Sequence, residues 1–137
     1  MKTLLSALTA WSGCRAARWY LERSSRKDTD HFGGRVQLTT VWNHGAAFGL
    51  PIPKGWLTAA SVGALAVLLT RKKEHPVATG LILGGGVSNL QERLREGKVY
   101  DYLRFPAAPG RLKRYVYNLA DLAIFLGGIG LLLRKKK

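Results

Sequence analysis

Asp121 is the only charged residue in the 19-residue stretch 115–133, YVYNLADLAIFLGGIGLLL. An ionisable side chain in such a segment marks a functional site by default if the segment lies in lipid. A second carboxylate, Asp101, precedes it in a polar stretch. Two carboxylates facing each other in a low-dielectric site cannot both ionise easily, so they share a proton and titrate in two separated steps. The ionised member can take a proton from water while the neutral member donates to a carbonyl oxygen. That chemistry hydrolyses a peptide bond with no metal, cofactor or covalent intermediate. The polar neighbours suit it. Asn118 stands three residues before Asp121, Asn89 and Arg93 are four apart, and Asn43 precedes a Pro-flanked apolar run. Helical spacing puts Asn118 with Asp121, and Asn89 with Arg93, on shared faces. Neutral amides orient carboxylates without adding charge, and an arginine holds a carbonyl or ties elements together. A purely structural account competes: Asp101 pairs with a loop arginine, and Asp121 caps the last helix, where negative charge is favourable.

The elements that must position these groups are visible in the distribution of charge rather than in its average. The chain has 137 residues, 22 Lys and Arg against 8 Asp and Glu, and a net charge of +14. Its mean hydropathy is −0.04 and its pI about 10.5. Taken whole, these values describe a small soluble basic domain, even a nucleic-acid binder. The single cysteine, Cys14, excludes an intramolecular disulfide, and His31, His44 and His75 are too scattered for a zinc site. Yet windows 55–70 and 76–91 hold no charge, and 115–133 holds only Asp121. A hydrocarbon core asks for roughly 20 apolar residues per helix; the windows are slightly short, and Lys54 and Arg71 can snorkel to lengthen one of them. Buried helices of a soluble all-α domain are the alternative. Glycines 84–86 followed by no Lys-Ser/Thr fit close helix packing better than a phosphate loop, and Trp19, Trp42 and Trp56 fit interface anchors.

The basic clusters Arg71–Lys73 and Arg134–Lys137 flank two windows and so lie on one side, the cytoplasmic one. Both aspartates then fall near the outer hydrocarbon boundary, Asp121 about 9 Å inside it. The outer segment 92–114 carries seven Lys and Arg, so it either lies on headgroups or pairs with Glu92, Glu96 and Asp101. Residues 1–21 admit three readings: a first span crossed by Arg15 and Arg18, an interfacial helix, or a cleaved targeting peptide. Residues 22–35 read as a loop, and 36–42 (VQLTTVW) as a short strand. The expected architecture is an all-α polytopic membrane protein. It is a single domain over 1–137, a bundle of about four transmembrane helices near 3–21, 55–70, 76–91 and 115–133. A small extracytoplasmic β-ribbon platform occupies 22–54.

Three motifs in this order and spacing resemble the signal peptidase II (lipoprotein signal peptidase) family. Leu38–Gly49 (LTTVWNHGAAFG) is similar to its Asn-x-Gly-Ala-Ala-Phe box. Gly84–Asp101 (GGGVSNLQERLREGKVYD) is similar to its glycine-rich Asn-Leu, Arg, Gly-x-Val-x-Asp stretch. Tyr117–Asp121 (YNLAD) is similar to its Phe-Asn-x-Ala-Asp box. The resemblance covers about residues 36–133. It implies a bacterial inner-membrane aspartyl endopeptidase with four transmembrane helices, without cofactor or metal. Such an enzyme removes signal peptides from prolipoproteins just before a diacylglyceryl-modified Cys, its site near the extracytoplasmic face. On this resemblance Asp101 and Asp121 are the catalytic pair, and Asn43, Asn89, Arg93, Asn118 and Ala120 are supporting motif positions. The implied partners are lipidated prolipoproteins and the bilayer, not nucleic acid, with the chain a monomer. The chain departs from the pattern in places. Its first helical stretch has no acid where the family usually carries Asp and, four residues later, Lys; Glu92 replaces the Asp before Arg93, and Ser88 replaces a common Gly. A non-catalytic paralogue that binds lipoproteins or signal peptides is the second expectation.

Overall fold

The computed structural model describes residues 1–24, 28–45, 50–70 and 74–133. The basic clusters on which the topology was argued, Arg71–Lys73 and Arg134–Lys137, and Ala46–Gly49 of the first motif lie outside the described residues. Helix α1 spans Lys2–Arg23, followed by strands β1 (Thr29–His31) and β2 (Val36–Asn43). Helices α2 (Lys54–Thr70) and α3 (Pro76–Glu96) come next, then β3 (Val99–Arg104), a 3₁₀ turn at Leu112–Arg114, β4 (Val116–Tyr117) and α4 (Leu119–Leu132). The four strands form one antiparallel sheet in sequence order.

Two expectations are corrected. The chain is not an all-α transmembrane bundle: four helices pack with a four-stranded sheet, and among the described residues no helix is long and apolar enough to cross a membrane. The apolar windows are too short or too interrupted. Arginines stand in α1, the amide and charged end of α3 continues to Glu96, and α4 has only 14 residues. The last window also does not begin as helix. Val116 and Tyr117 pair with Arg104 and Leu103 of β3, so α4 starts only at Leu119.

Helix α3 is the central element. Its residues advance about 100° each, so the consecutive glycines 84, 85 and 86 look at three neighbours. A Cβ on Gly84 would meet Ala7 and Ala10 of α1; on Gly85, Ala120, Ala123 and Ile124 of α4; on Gly86, Leu65 of α2. The run that punctuates the sequence is thus where three helices approach one axis. The helix stops at Gly97, whose φ of +69° supplies the left-handed cap that a Cβ would strain. The chain then turns directly into β3. Leu21 of α1 packs with Tyr100 and Tyr102 of β3 to fix the sheet against the first helix.

Candidate active site

Asp101 lies on β3 and is 4% exposed. Opposite it in the ladder is Val41, just past an extra residue that bulges β2 between Leu38 and Val41. Asn43, at the end of β2, donates through Nδ2 to Asp101 Oδ2 at 3.2 Å, while its own Oδ1 accepts the Gly45 amide at 2.9 Å. Asp121 enters from α4. Asn118 is not on a helix face with it, as the spacing suggested, but is the N-cap. Its Oδ1 accepts the Asp121 amide and Asp121 Oδ2 accepts the Asn118 amide, each at 2.9 Å. This reciprocal capping box satisfies two amides that a helix start otherwise leaves open. The capping account of Asp121 is therefore realised in the geometry. The loop-arginine account of Asp101 is not: its hydrogen-bond partners are amides.

The side-chain amides link the two carboxylates. Asn118 Nδ2 donates to Asp101 Oδ1 at 2.9 Å and to Asn89 Oδ1 at 3.0 Å, and Asn89 Nδ2 donates to Asp121 Oδ1 at 3.2 Å. Each of the four carboxylate oxygens thus accepts one N–H. Burial and the Asp121 charge push Asp101 up to about 7, against the lowering effect of the Asn43 and Asn118 hydrogen bonds. A carboxyl held near neutrality beside another carboxylate can exchange a proton at ordinary pH. Arg93 comes from α3 one turn after Asn89. Its field reaches both aspartates, and its Nε is buried without a hydrogen-bond partner. Ala120 is 2% exposed, and its backbone carbonyl oxygen lies where a Cβ on Gly85 of α3 would stand, so that the glycine lets α4 come close. An open recess of about 360 Å³ adjoins Asn43, walled by His44, Leu50, Pro51 and Ile52. Among the described residues no three of His, Cys, Asp and Glu gather as a metal-holding group.

Three contributors escaped the sequence reading. Arg18, read there as a strain on a first span, is 6% exposed and ion-paired to Glu92 and Glu96 of α3. These two glutamates therefore serve α1 rather than the basic segment that follows them. Glu92 also accepts the backbone N–H of Tyr100 at 3.0 Å. Tyr102 Oη accepts the Leu119 amide at 3.0 Å, tying β3 to the start of α4. A signal for the first two existed: Arg15 with Arg18 and Glu92 with Glu96 present oppositely charged faces at helical spacing.

The sequence model described as signal peptidase (SPase) II matches residues 15–135. A lipoprotein signal peptidase of Syntrophomonas wolfei is 40% identical over 121 residues, covering 83% of this chain and 75% of that protein. One of Methylorubrum extorquens is 38% identical over 108 residues, covering 72% of this chain and 62% of that protein. The chain thus spans less than two thirds of the length of the latter relative. A solved bacterial membrane enzyme, determined by the in meso method at 2.3 Å, superposes with a TM-score of 0.84 at 17% identity, over 98% of this chain and 92% of its own.

Proposed function

The chain belongs to the signal peptidase II family, and from that premise we propose that it is an aspartyl endopeptidase acting at a bacterial cytoplasmic membrane. Its substrates are diacylglyceryl-modified prolipoproteins, cut just before the lipidated cysteine on the extracytoplasmic side, and it acts as a monomer. The observation that carries this reading is the amide-linked pair of carboxylates, Asp101 buried and Asp121 half-buried, with one N–H on every oxygen. In the reaction the pair holds one proton. The ionised carboxylate takes a proton from a water molecule as its oxygen attacks the scissile carbonyl carbon. The protonated carboxyl donates to the carbonyl oxygen, giving a tetrahedral diol. Collapse of the diol breaks the C–N bond as a proton passes to the leaving amine, and the pair returns to its starting state. Asn43, Asn89 and Asn118 hold the carboxylates in place throughout, and Ala120 meets Gly85 where α4 lies close to α3. Arg93 balances the charge of the pair. The recess beside Asn43 is the proposed approach for the peptide.

The exposed apolar side chains support the membrane setting. Trp56, Phe125 and Leu4 are 76%, 66% and 64% exposed, a distribution suited to an apolar environment rather than water. The deciding experiment is a gel-shift cleavage assay on a lipidated precursor. Parent chain is expected to release the signal peptide, and Asp101→Asn and Asp121→Asn to lose about 10²–10⁴-fold in rate. Full activity in either variant overturns the assignment of the pair. The absence of an acid from residues 3–21, where the family usually carries one, motivates the second reading, a non-catalytic paralogue. Precursor binding with no release by the parent chain would favour it.

A further inference from the structure

The strand that carries Asp101 is paired with β2 along most of its length, but on its other side the sheet reaches only its far end. Strand β4 pairs only with Leu103 and Arg104, and the ladder to β2 is shifted between Leu38 and Val41, directly before the Val41–Asp101 pair. The Tyr100 amide, one residue before Asp101, donates to Glu92 Oε2 at 3.0 Å. Glu92 is 6% exposed. A buried carboxylate needs a partner, and Arg18 supplies it: Nη1 lies 3.2 Å from the same Oε2, an ion pair rather than an aligned hydrogen bond. The Arg15 guanidinium is more distant, at 3.9 Å from Oε1. Arg18 is itself fixed. Its Nη2 reaches Glu96 at 2.6 Å and Glu22 at 3.0 Å, and its guanidinium lies 5.5 Å from the Trp42 ring centroid and 5.7 Å from that of Tyr100. One side chain therefore joins α1, α3, β2 and β3 beside the strand residue that carries the carboxyl.

We propose that Arg18 and Glu92 form a latch that sets the position of β3, and through it the placement of Asp101 against Asp121, making both of them positioning residues for the reaction. The inference rests on the peptidase reading above. Glu92 grips the backbone N–H beside Asp101, and Arg18 holds the Glu92 side chain in that orientation. Neither side chain touches the peptide. Loosening the latch displaces one carboxyl of the pair, and misplacement by about 1 Å costs about 10²-fold in rate.

The test separates the grip on the amide from mere stability. Glutamine at position 92 keeps an acceptor for the Tyr100 N–H, whereas leucine of similar size has none. For Glu92→Leu, kcat on a lipidated precursor is expected to fall about 10²-fold with KM within a few-fold, and the Tyr100 amide to exchange faster with solvent. For Glu92→Gln, both kcat and Tyr100 exchange are expected to stay within a few-fold of the parent. Arg18→Met removes the cation nearest Glu92 and is expected to lower kcat, with Arg18→Lys or the double variant Arg18→Met/Glu92→Gln recovering part of it. All rates are taken per folded molecule, with folding followed by near-ultraviolet circular dichroism. Equal kcat loss in Glu92→Gln and Glu92→Leu overturns the latch, as does an unchanged Tyr100 exchange in Glu92→Leu. The two readings fail differently. A parent chain that releases no peptide overturns the peptidase assignment, whereas a cleaving parent whose Glu92→Leu variant keeps the parental kcat overturns the latch alone.

Discussion

Two amide donors and one neighbouring carboxylate pull Asp101 in opposite directions. Burial and the Asp121 charge favour the neutral form, Asn43 and Asn118 favour the charged one, and the balance lies near 7. If one shared proton is the working state, activity falls as pH rises through about 7 and the second proton leaves. Asn43→Ala removes a donor to the charged form, so its alkaline limb is expected at higher pH than the parent's. A pH–rate profile of the two proteins checks this, and a limb moved downward contradicts it. The same shift has a stability consequence whose sign follows from linkage. A carboxyl raised from 3.8 to about 7 binds its proton more tightly in the folded chain. Its contribution is fully present below the unfolded value and is lost as pH rises through the folded one. Thermal melts between pH 5 and 8 should therefore show the parent losing stability with pH, and Asp101→Asn losing less. At this scale the sequence was informative about residue types: Asp101, Asn43, Asn89, Asn118 and Asp121 do meet in one network. It was silent on Tyr102, and on the bond from Glu92 to a strand amide, because backbone amides leave no residue pattern.

Helix α4 places two neighbouring glycines in opposite circumstances. A Cβ on Gly127 would stand 2.7 Å from the Ala78 carbonyl oxygen of α3, whereas one on Gly128 would meet nothing within 4 Å. Gly127→Ala is accordingly expected to push α4 off α3 and destabilise the chain by about 1–3 kcal/mol. Gly128→Ala removes backbone freedom from the unfolded chain without a clash and is expected to stabilise it by about 0.5–1 kcal/mol. Thermal or denaturant unfolding of the pair reads both signs, and equal effects would contradict the packing account. The helices were legible in the sequence because sparse charge and small residues leave a long-range mark. Their ends were less so. The capping box at Asn118 and Asp121 replaced an expected shared helix face, because an asparagine side chain competes for the first amides of a helix. Strands β3 and β4 were missed because a six-residue and a two-residue strand carry almost no periodicity, and their pairing depends on partners far away in the chain.

Polar and apolar residues are distributed across the molecule as in few water-surrounded domains. Its buried positions include Arg18, Thr79, Ser88, Asn89, Glu92, Asp101 and Asn118, while Leu5, Leu8, Phe125, Leu126 and Leu132 face outward. The net charge of +14 and mean hydropathy of −0.04 conceal this arrangement, since each averages an apolar exterior with basic connecting segments. The same averages conceal why the spans failed as spans: the polar residues interrupting α1 and α3 are those that build the site and the Arg18 cluster. Two forces could hold such a chain at a membrane, and they respond oppositely to salt. Attraction between basic segments and anionic headgroups is screened within about 10 Å at 0.1 M ionic strength and nearly vanishes at 1 M. Contact of exposed Leu, Phe and Trp with hydrocarbon is not weakened by salt. The apolar face is extensive enough that the second should dominate. The protein is therefore expected to stay with the membrane through a 1 M salt wash and to enter the detergent phase on solubilisation. Release of most of the chain by salt alone would mean that charge holds it there, and that the exposed apolar side chains face a protein partner instead.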